Sequence, residues 1–298
     1  MTDHIKAFII PRGRTGGTLF ATMINAHPLM TFGYEIYPDK LEADGRDSFK
    51  VQTAIDLMED SQDENPEIWI NQLSPGNFRT FCARARRSGL DMPILLEELK
   101  KFCKAGKNFD DIHGRLDFID SLIETQRLKN GKQYAGSKMR VDPYLLFERH
   151  PNTSFYMMLR DGRDVLDSRL NVGNFKTNAE ECARDWMTSL VDFEKFLKDT
   201  GARGCLVKYE ELVYEPEKTL TSALSHADLE YHPNMLNYLK SNPTLLNTPH
   251  GHLSATQIAE GLNDRSVSRW KNGLSKHDLE IFLDIAGSVL ERYGYTSD

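Results

Sequence analysis

The stretch IKAFIIPRGRTGGTLFATMINAHPLMTFGYE, residues 5–35, decides how this chain is read. Ala7-Phe8-Ile9-Ile10 has the length and composition of a buried strand, and it passes directly into Pro11-Arg12-Gly13-Arg14-Thr15-Gly16-Gly17-Thr18. From Leu19 to Asn25 the apolar residues Leu19, Phe20, Met23 and Ile24 recur at helical spacing, with Thr18 or Thr15 as the cap. Strand, glycine-rich turn and helix in that order leave free N–H groups and the positive end of a helix dipole facing the turn, an arrangement that suits an anion. Gly13, Gly16 and Gly17 remove Cβ atoms where the chain must approach a ligand, and Arg12 and Arg14 add fixed positive charge. The lysine of G-x-x-x-x-G-K-[ST], which reaches the outer phosphates of a nucleoside triphosphate, is missing, so a triphosphate-hydrolysing enzyme is disfavoured.

Beyond the first helix, Asn25-Ala26-His27-Pro28 is a terminator, and His27 reads as a cap or packing group. Glu35 follows among Phe32, Tyr34, Ile36 and Tyr37. A carboxylate in such surroundings is either paired or raised in pKa, and the second suits a general base. Residues 45–130 are mostly helical in pattern, with Phe49–Met58, Phe78–Ser88, Pro93–Lys104 and Phe118–Leu128 as segments of an acceptor-side or lid insertion. Within it, Arg84-Ala85-Arg86-Arg87 reads as a solvated helix face, with binding of an acidic acceptor as the alternative. His113, placed in a loop, is the rival to Glu35 as base.

Strand and helix alternate again from residue 131. Tyr134–Lys138 reads as a short strand ending in a lysine, Pro143–Arg149 as a helix, and Ser154–Leu159 as a continuous apolar strand running into Arg160-Asp161-Gly162-Arg163-Asp164. In an open parallel sheet ligands bind beyond the carboxyl ends of strands, so Arg14, Lys138 and Arg160 are expected to converge, with Ser168 one helical turn or so further on and within reach of the anion at Arg160. An internal Arg–Asp cluster is the structural alternative. Ala179–Leu197 is an amphipathic helix with Trp186, Leu190, Phe193 and Phe196 inward. Cys205–Tyr209 is a strand, and Glu217–His226 and Lys276–Tyr293 are helices. His250 and His252 fall in a loop without a third ligand at suitable spacing, so no metal is expected.

A chain of 298 residues, 40% hydrophobic, buries a large α/β core, read here as one domain carrying the helical insertion. The net charge of −7 argues against broad binding to nucleic acid or anionic membrane while permitting a local basic pocket. Cys82, Cys103, Cys182 and Cys205 are scattered without metal or disulfide spacing and read as buried free thiols. A core strand within the first ten residues leaves no room for a signal peptide, and no apolar run approaches the ~18 residues of a membrane span, so a cytoplasmic protein is expected.

In this order the motifs resemble the sulfotransferases that use 3′-phosphoadenosine-5′-phosphosulfate (PAPS). Arg14-Thr15-Gly16-Gly17-Thr18-Leu19 resembles their 5′-phosphosulfate loop, with His27-Pro28 at the family's H-P. Leu159-Arg160-Asp161-Gly162-Arg163-Asp164-Val165 through Ser168 resembles their 3′-phosphate motif. Lys208-Tyr209-Glu210-Glu211-Leu212, Ser266–Trp270 and Gly294-Tyr295 resemble the later motifs. Gly13 and Gly17 depart from a usual proline and threonine, with Arg12 available to replace part of the lost contact. The resemblance implies a P-loop-like α/β fold with a central parallel sheet and helices on both faces. It implies sulfuryl transfer to a hydroxyl of a carbohydrate, a tyrosyl group or a small metabolite, with 3′-phosphoadenosine-5′-phosphate (PAP) as product and no metal. Glu35 stands where the tyrosylprotein branch has its base; Lys138 and Arg14 complete the implied catalytic set. Arg12, Gly13, Arg14, Thr15, Gly16, Gly17, Thr18, Arg160, Ser168, Tyr209, Ser268 and Arg269 are the implied donor-binding residues. The expected partner is a hydroxylated acceptor, without nucleic acid or membrane insertion, and a homodimer is left open. A nucleotide-binding protein that has lost its chemistry, or a kinase with a degenerate loop, are the competing readings.

Overall fold

The computed structural model describes residues 4–42, 51–61, 66–171, 175–241 and 255–296. Five strands, β1 (Ile5–Ile10), β2 (Met30–Tyr34), β3 (Tyr134–Lys138), β4 (Ser154–Leu159) and β5 (Gly204–Lys208), form a parallel sheet in the order β2-β3-β1-β4-β5, with helices around it. This is the α/β architecture expected from the alternation of apolar runs and helical patterns. β1 and β4 are nearly continuous apolar runs, as strands covered on both faces are, and all six residues of β4 are buried.

The chain divides into two compact units. One comprises Met1–Phe8, Thr18–Asp142 and His232–Gly261. It holds helix α1 (Gly17–Asn25, from Thr18 onward), the strand pair β2–β3, and five helices: α2 (Val51–Asp60), α3 (Pro66–Gln72), α4 (Asn77–Arg87), α5 (Met92–Lys104) and α6 (Ile112–Lys129). Phe81, Phe102, Phe109 and Phe118 stack into an aromatic core beneath these helices. The register places Tyr34 opposite Lys138, so Glu35, the next residue, leaves the sheet at the end where Lys138 does.

The other unit comprises Ile9–Gly17, Pro143–Tyr231 and Leu262–Asp298. It holds α7 (Pro143–Arg149), β4, α8 (Gly162–Asn171), α9 (Ala179–Thr200), β5, α10 (Tyr209–Tyr214), α11 (Pro216–Ser225) and the C-terminal helix Lys276–Arg292. Trp186, Leu190, Phe193 and Phe196 of α9 are buried, as their spacing predicts.

Several boundaries differ from expectation. β2 was not anticipated as a strand, since its five residues are interrupted by Gly33. α3 and α10 were also unanticipated; both are under two turns and carry little periodicity. α6 begins at Ile112, well before Phe118, because the Asp111 carboxylate accepts the Gly114 N–H at 2.8 Å and caps the helix. His113 therefore lies in a helical first turn, exposed, and not in a loop. α1 starts at Gly17, so Thr18 is inside the helix and not its cap. Cys103 and Cys205 are only half-buried, while all four thiols are free as expected. His250 and His252 lie outside the described residues.

Candidate functional site

The turn between β1 and α1 is shaped by left-handed backbone at Arg14 (φ 71°) and Gly16 (φ 92°). At Gly16 a side chain is also sterically barred, since a Cβ would lie 2.5 Å from the Tyr209 ring. Arg14 carries a Cβ in a conformation that costs about 1–2 kcal/mol, the kind of local strain that concentrates at functional sites. Thr15 donates its hydroxyl to the Arg12 carbonyl at 3.0 Å, tightening the turn, and Arg12 itself lies 3.7 Å from Asp185. Gly13 is exposed, with Phe175 and Arg169 its nearest neighbours, and Gly17 is buried.

Within this unit the Arg14 Nε donates to Ser168 Oγ at 2.8 Å. Ser168 thus meets Arg14 where the sequence suggested Arg160. Burial, followed by the neighbouring guanidiniums of Arg160 and Arg269, lowers the Arg14 pKa: three cations are gathered where an anion would relieve their repulsion. Arg160 is held by its own donations, Nη1 to the Arg14 carbonyl at 2.9 Å and Nη2 to the Ser266 carbonyl, while Trp186 Nε1 donates to the Arg160 carbonyl at 3.0 Å. Its guanidinium lies 4.9 Å from the centre of the Tyr209 ring, and its buried Nε has no hydrogen-bond partner. The same tyrosine ring lies against both Gly16 and Arg160. Arg269 donates to Asp167, and the Ser268 N–H donates to Asp164.

A second group belongs to the other unit. Lys138, 5% exposed at the end of β3, donates to Thr18 Oγ1 at 2.8 Å and lies 3.8 Å from a Glu35 oxygen. Glu35 has φ 64° and also forms a close ion pair with Arg87. Of the two states open to this carboxylate from its sequence context, pairing is the one observed. Burial pulls the Lys138 pKa down to about 8; Glu35 opposes the shift, and Arg87, Arg84 and Arg140 add to it.

Arg87 belongs to the run expected to be a solvated helix face, and that expectation fails: its side chain is 11% exposed and bound to Glu35. Arg84 and the exposed Arg140 lie 5.4 and 5.0 Å from the centre of the buried Tyr37 ring. Cations three apart on one helix share a face, which was the available signal for Arg84 and Arg87; nothing in the sequence pointed to Arg140. A cavity of about 210 Å³ in the same unit is lined by Ile36 and Ser88, the residues that follow Glu35 and Arg87, together with Gly33, Phe32, Leu90 and Ile123. His113 is not in this group. His27 is buried, and its Nδ1 accepts the Leu29 N–H at 3.2 Å, so it serves as the packing group its position allowed.

A family model described as the sulfotransferase family matches residues 7–233. The chain belongs to the sulfotransferase family. Among curated relatives, the protein-tyrosine sulfotransferase of Drosophila melanogaster is 24% identical over 169 residues, 53% of this chain and 33% of that protein. Protein-tyrosine sulfotransferase 2 of Gallus gallus is 24% identical over 153 residues, 49% and 41% of the two chains. A putative protein-tyrosine sulfotransferase of Caenorhabditis briggsae reaches 64% of its length at 24% identity. The matches therefore span from a third to just under two thirds of these relatives. Two solved structures share the fold. The sulfotransferase domain of the Synechococcus PCC 7002 olefin synthase has a TM-score of 0.56 at 16% identity, covering 97% of this chain and 96% of that one. The sulfotransferase domain of the curacin biosynthetic pathway has a TM-score of 0.54 at 14% identity, covering 96% and 97%. Within the sulfotransferase fold, the turn that follows β1, the end of β3 and the start of α8 carry the residues described above.

Proposed function

We propose that this sulfotransferase-family chain moves the sulfuryl group of PAPS to a hydroxyl of an acceptor that carries an anionic group of its own. The observation that carries the donor reading is the gathering of Arg14, Arg160 and Arg269 at a glycine turn, with Ser168 bonded to Arg14. Ordinary adenine nucleotides carry phosphate only at the 5′ position; a cluster of this charge fits a donor with phosphates at both 5′ and 3′. PAPS supplies an activated sulfuryl group and PAP as its leaving portion. The residues fit that group: Gly16 lets the chain approach, Arg160 retains a buried N–H without a partner, and the first turn of α1 offers backbone N–H groups to the 5′ end.

In this reading Arg14 and the loop hold the 5′-phosphate, while Arg160, Ser168 and Arg269 hold the 3′-phosphate. Tyr209 keeps Gly16 and Arg160 in place. Glu35 takes the proton of the acceptor hydroxyl, with Arg87 fixing its carboxylate. Lys138 donates to the bridging oxygen that leaves with PAP. Sulfuryl transfer is in line and asks the protein for position and charge neutralisation more than covalent chemistry.

The acceptor side is read from Arg84 and Arg140, whose charges flank Tyr37 near Glu35. Similarity to protein-tyrosine sulfotransferases supports a phenolic hydroxyl. At about 210 Å³ the cavity lined by Ile36 and Ser88, the residues that follow Glu35 and Arg87, is smaller than the roughly 300–1,000 Å³ of sites that enclose whole ligands, so it has room for no more than part of an acceptor, such as a ring. Replacing both arginines by alanine is expected to raise KM at least about tenfold for a carboxylate-bearing phenol and to leave a neutral phenol within about twofold. Equal effects on the two would remove the anionic group from the proposal.

The donor reading is tested by calorimetry with PAP and with adenosine 5′-phosphate. Arg160→Ala removes a charge-assisted partner worth ~1.5–3 kcal/mol, so PAP is expected to weaken about 10- to 100-fold and adenosine 5′-phosphate far less. Equal losses would show that Arg160 does not distinguish the 3′-phosphate. Release of PAP from PAPS on adding an acceptor separates an active enzyme from a nucleotide-binding protein without chemistry.

A further inference from the structure

We propose that Asp164 is a positioning residue for donor binding, holding residues 266–270 against α8 so that Arg269 stands with Arg14 and Arg160. The proposal rests on the donor reading above. Asp164 and Asp167 are three residues apart on α8 and so share a face, and both carboxylates are almost fully buried. The two oxygens of Asp164 accept different backbone groups: Oδ2 takes the Ser268 N–H at 2.9 Å, and Oδ1 takes the Trp270 N–H at 3.0 Å. Arg269, between them, donates Nε to Asp167. Arg160 donates to the Ser266 carbonyl, and the Arg163 guanidinium, itself gripped by both oxygens of Asp161, stacks 3.9 Å from the centre of the Trp270 ring. Four residues of a five-residue segment are thereby tied to the start of α8.

The energetics point the same way. Ser268 has φ 58°, a left-handed conformation that a serine does not take without outside support. A carboxylate with no exposed surface is retained only where hydrogen bonds and a nearby cation compensate its lost hydration. Asp164 receives two N–H bonds and lies 3.9 Å from Arg160. Gly273, at the end of the following turn, has no room for a Cβ because the Asp167 carboxylate occupies that space, so the segment closes directly onto the helix. These contacts bind a polar segment whose product is the placement of one guanidinium beside two others.

Asp164→Asn keeps the shape, but its amide presents one acceptor where two N–H groups arrive, so one bond is lost. PAP is expected to bind at least about tenfold more weakly to Asp164→Asn, while adenosine 5′-phosphate, which lacks the 3′-phosphate, stays within about twofold. A purely structural carboxylate would weaken both alike, and that result overturns the proposal. So does unchanged PAP affinity in the variant when the wild type binds PAP. Wild-type protein that binds neither nucleotide overturns the donor reading itself, and this inference with it. Should the variant fail to fold, hydrogen exchange on the wild type decides. PAP must then slow the Ser268 and Trp270 amides at least about tenfold more than saturating adenosine 5′-phosphate does, and equal slowing overturns the proposal.

Discussion

Glu35→Gln is expected to lower kcat by at least ~100-fold while PAP affinity changes by less than about twofold, because an amide keeps the size and one acceptor of the carboxylate but takes no proton. Three observations support the size of the effect. Glu35 adopts a left-handed backbone angle that a non-glycine residue holds only under constraint. Its carboxylate is 12% exposed and lies between Arg87 and Lys138, so it is oriented before any acceptor arrives. The register of β2 on β3 brings it to the sheet end that bears Lys138. The ion pair with Arg87 occupies one carboxylate oxygen, Oε2, and Lys138 lies near the other, Oε1. Steady-state kinetics with a proven acceptor, alongside calorimetry with PAP, checks this. The control is His113→Ala, expected to be within about twofold of wild type because His113 is exposed on α6. Near-full turnover by Glu35→Gln together with an inactive His113→Ala would reverse the assignment.

Lys138→Ala is expected to cost ~10²–10³ in kcat, the scale for deleting one charge that stabilises a transition-state oxygen. The lysine also sets a pH limit. Burial lowers its pKa to about 8, so in the free protein it is protonated below that value and neutral above it. If the cation is the active form, kcat/KM, which reports groups of the free enzyme, is level below pH 8 and falls about tenfold per unit above it. Lys138→Arg stays charged through this range and is expected to lose that limb of the profile while keeping part of the rate. A wild-type kcat/KM that is flat from pH 7 to 10 would show that Lys138 is not acting as the cation.

The difference between these groups and the turn after β1 lies in how far apart their members stand in the chain. Gly13, Arg14, Gly16 and Gly17 fall within five residues, so a glycine-rich turn between an apolar strand and a helical pattern was readable directly. Arg160 and Ser168 were readable as a strand end and the face of the next helix. Their partners were not: Ser168 meets Arg14 across 154 positions, and Arg87 meets Glu35 across 52. Arg84 and Arg87 belong to a basic run that local statistics assign to solvent, and the half-buried carboxylate of Glu35, just past the end of β2, reverses that assignment for Arg87. His113 was misplaced for a local reason, since an aspartate cap and a glycine in the first turn hid the start of α6.

What the sequence determined by itself was periodic and local. Its apolar runs specified the strands β1, β3, β4 and β5, its 3.6-residue patterns specified the long helices, and its glycines located the turn between β1 and α1. These follow from burial and backbone sterics, which act over a few residues. Only the tertiary structure decided the pairing of Glu35, the lowered pKa of Lys138, the company of Arg14 and the anchoring of residues 266–270 by Asp164. Each depends on which charges meet in a low-dielectric interior, and that is set by strand order and register, which residue periodicity does not encode.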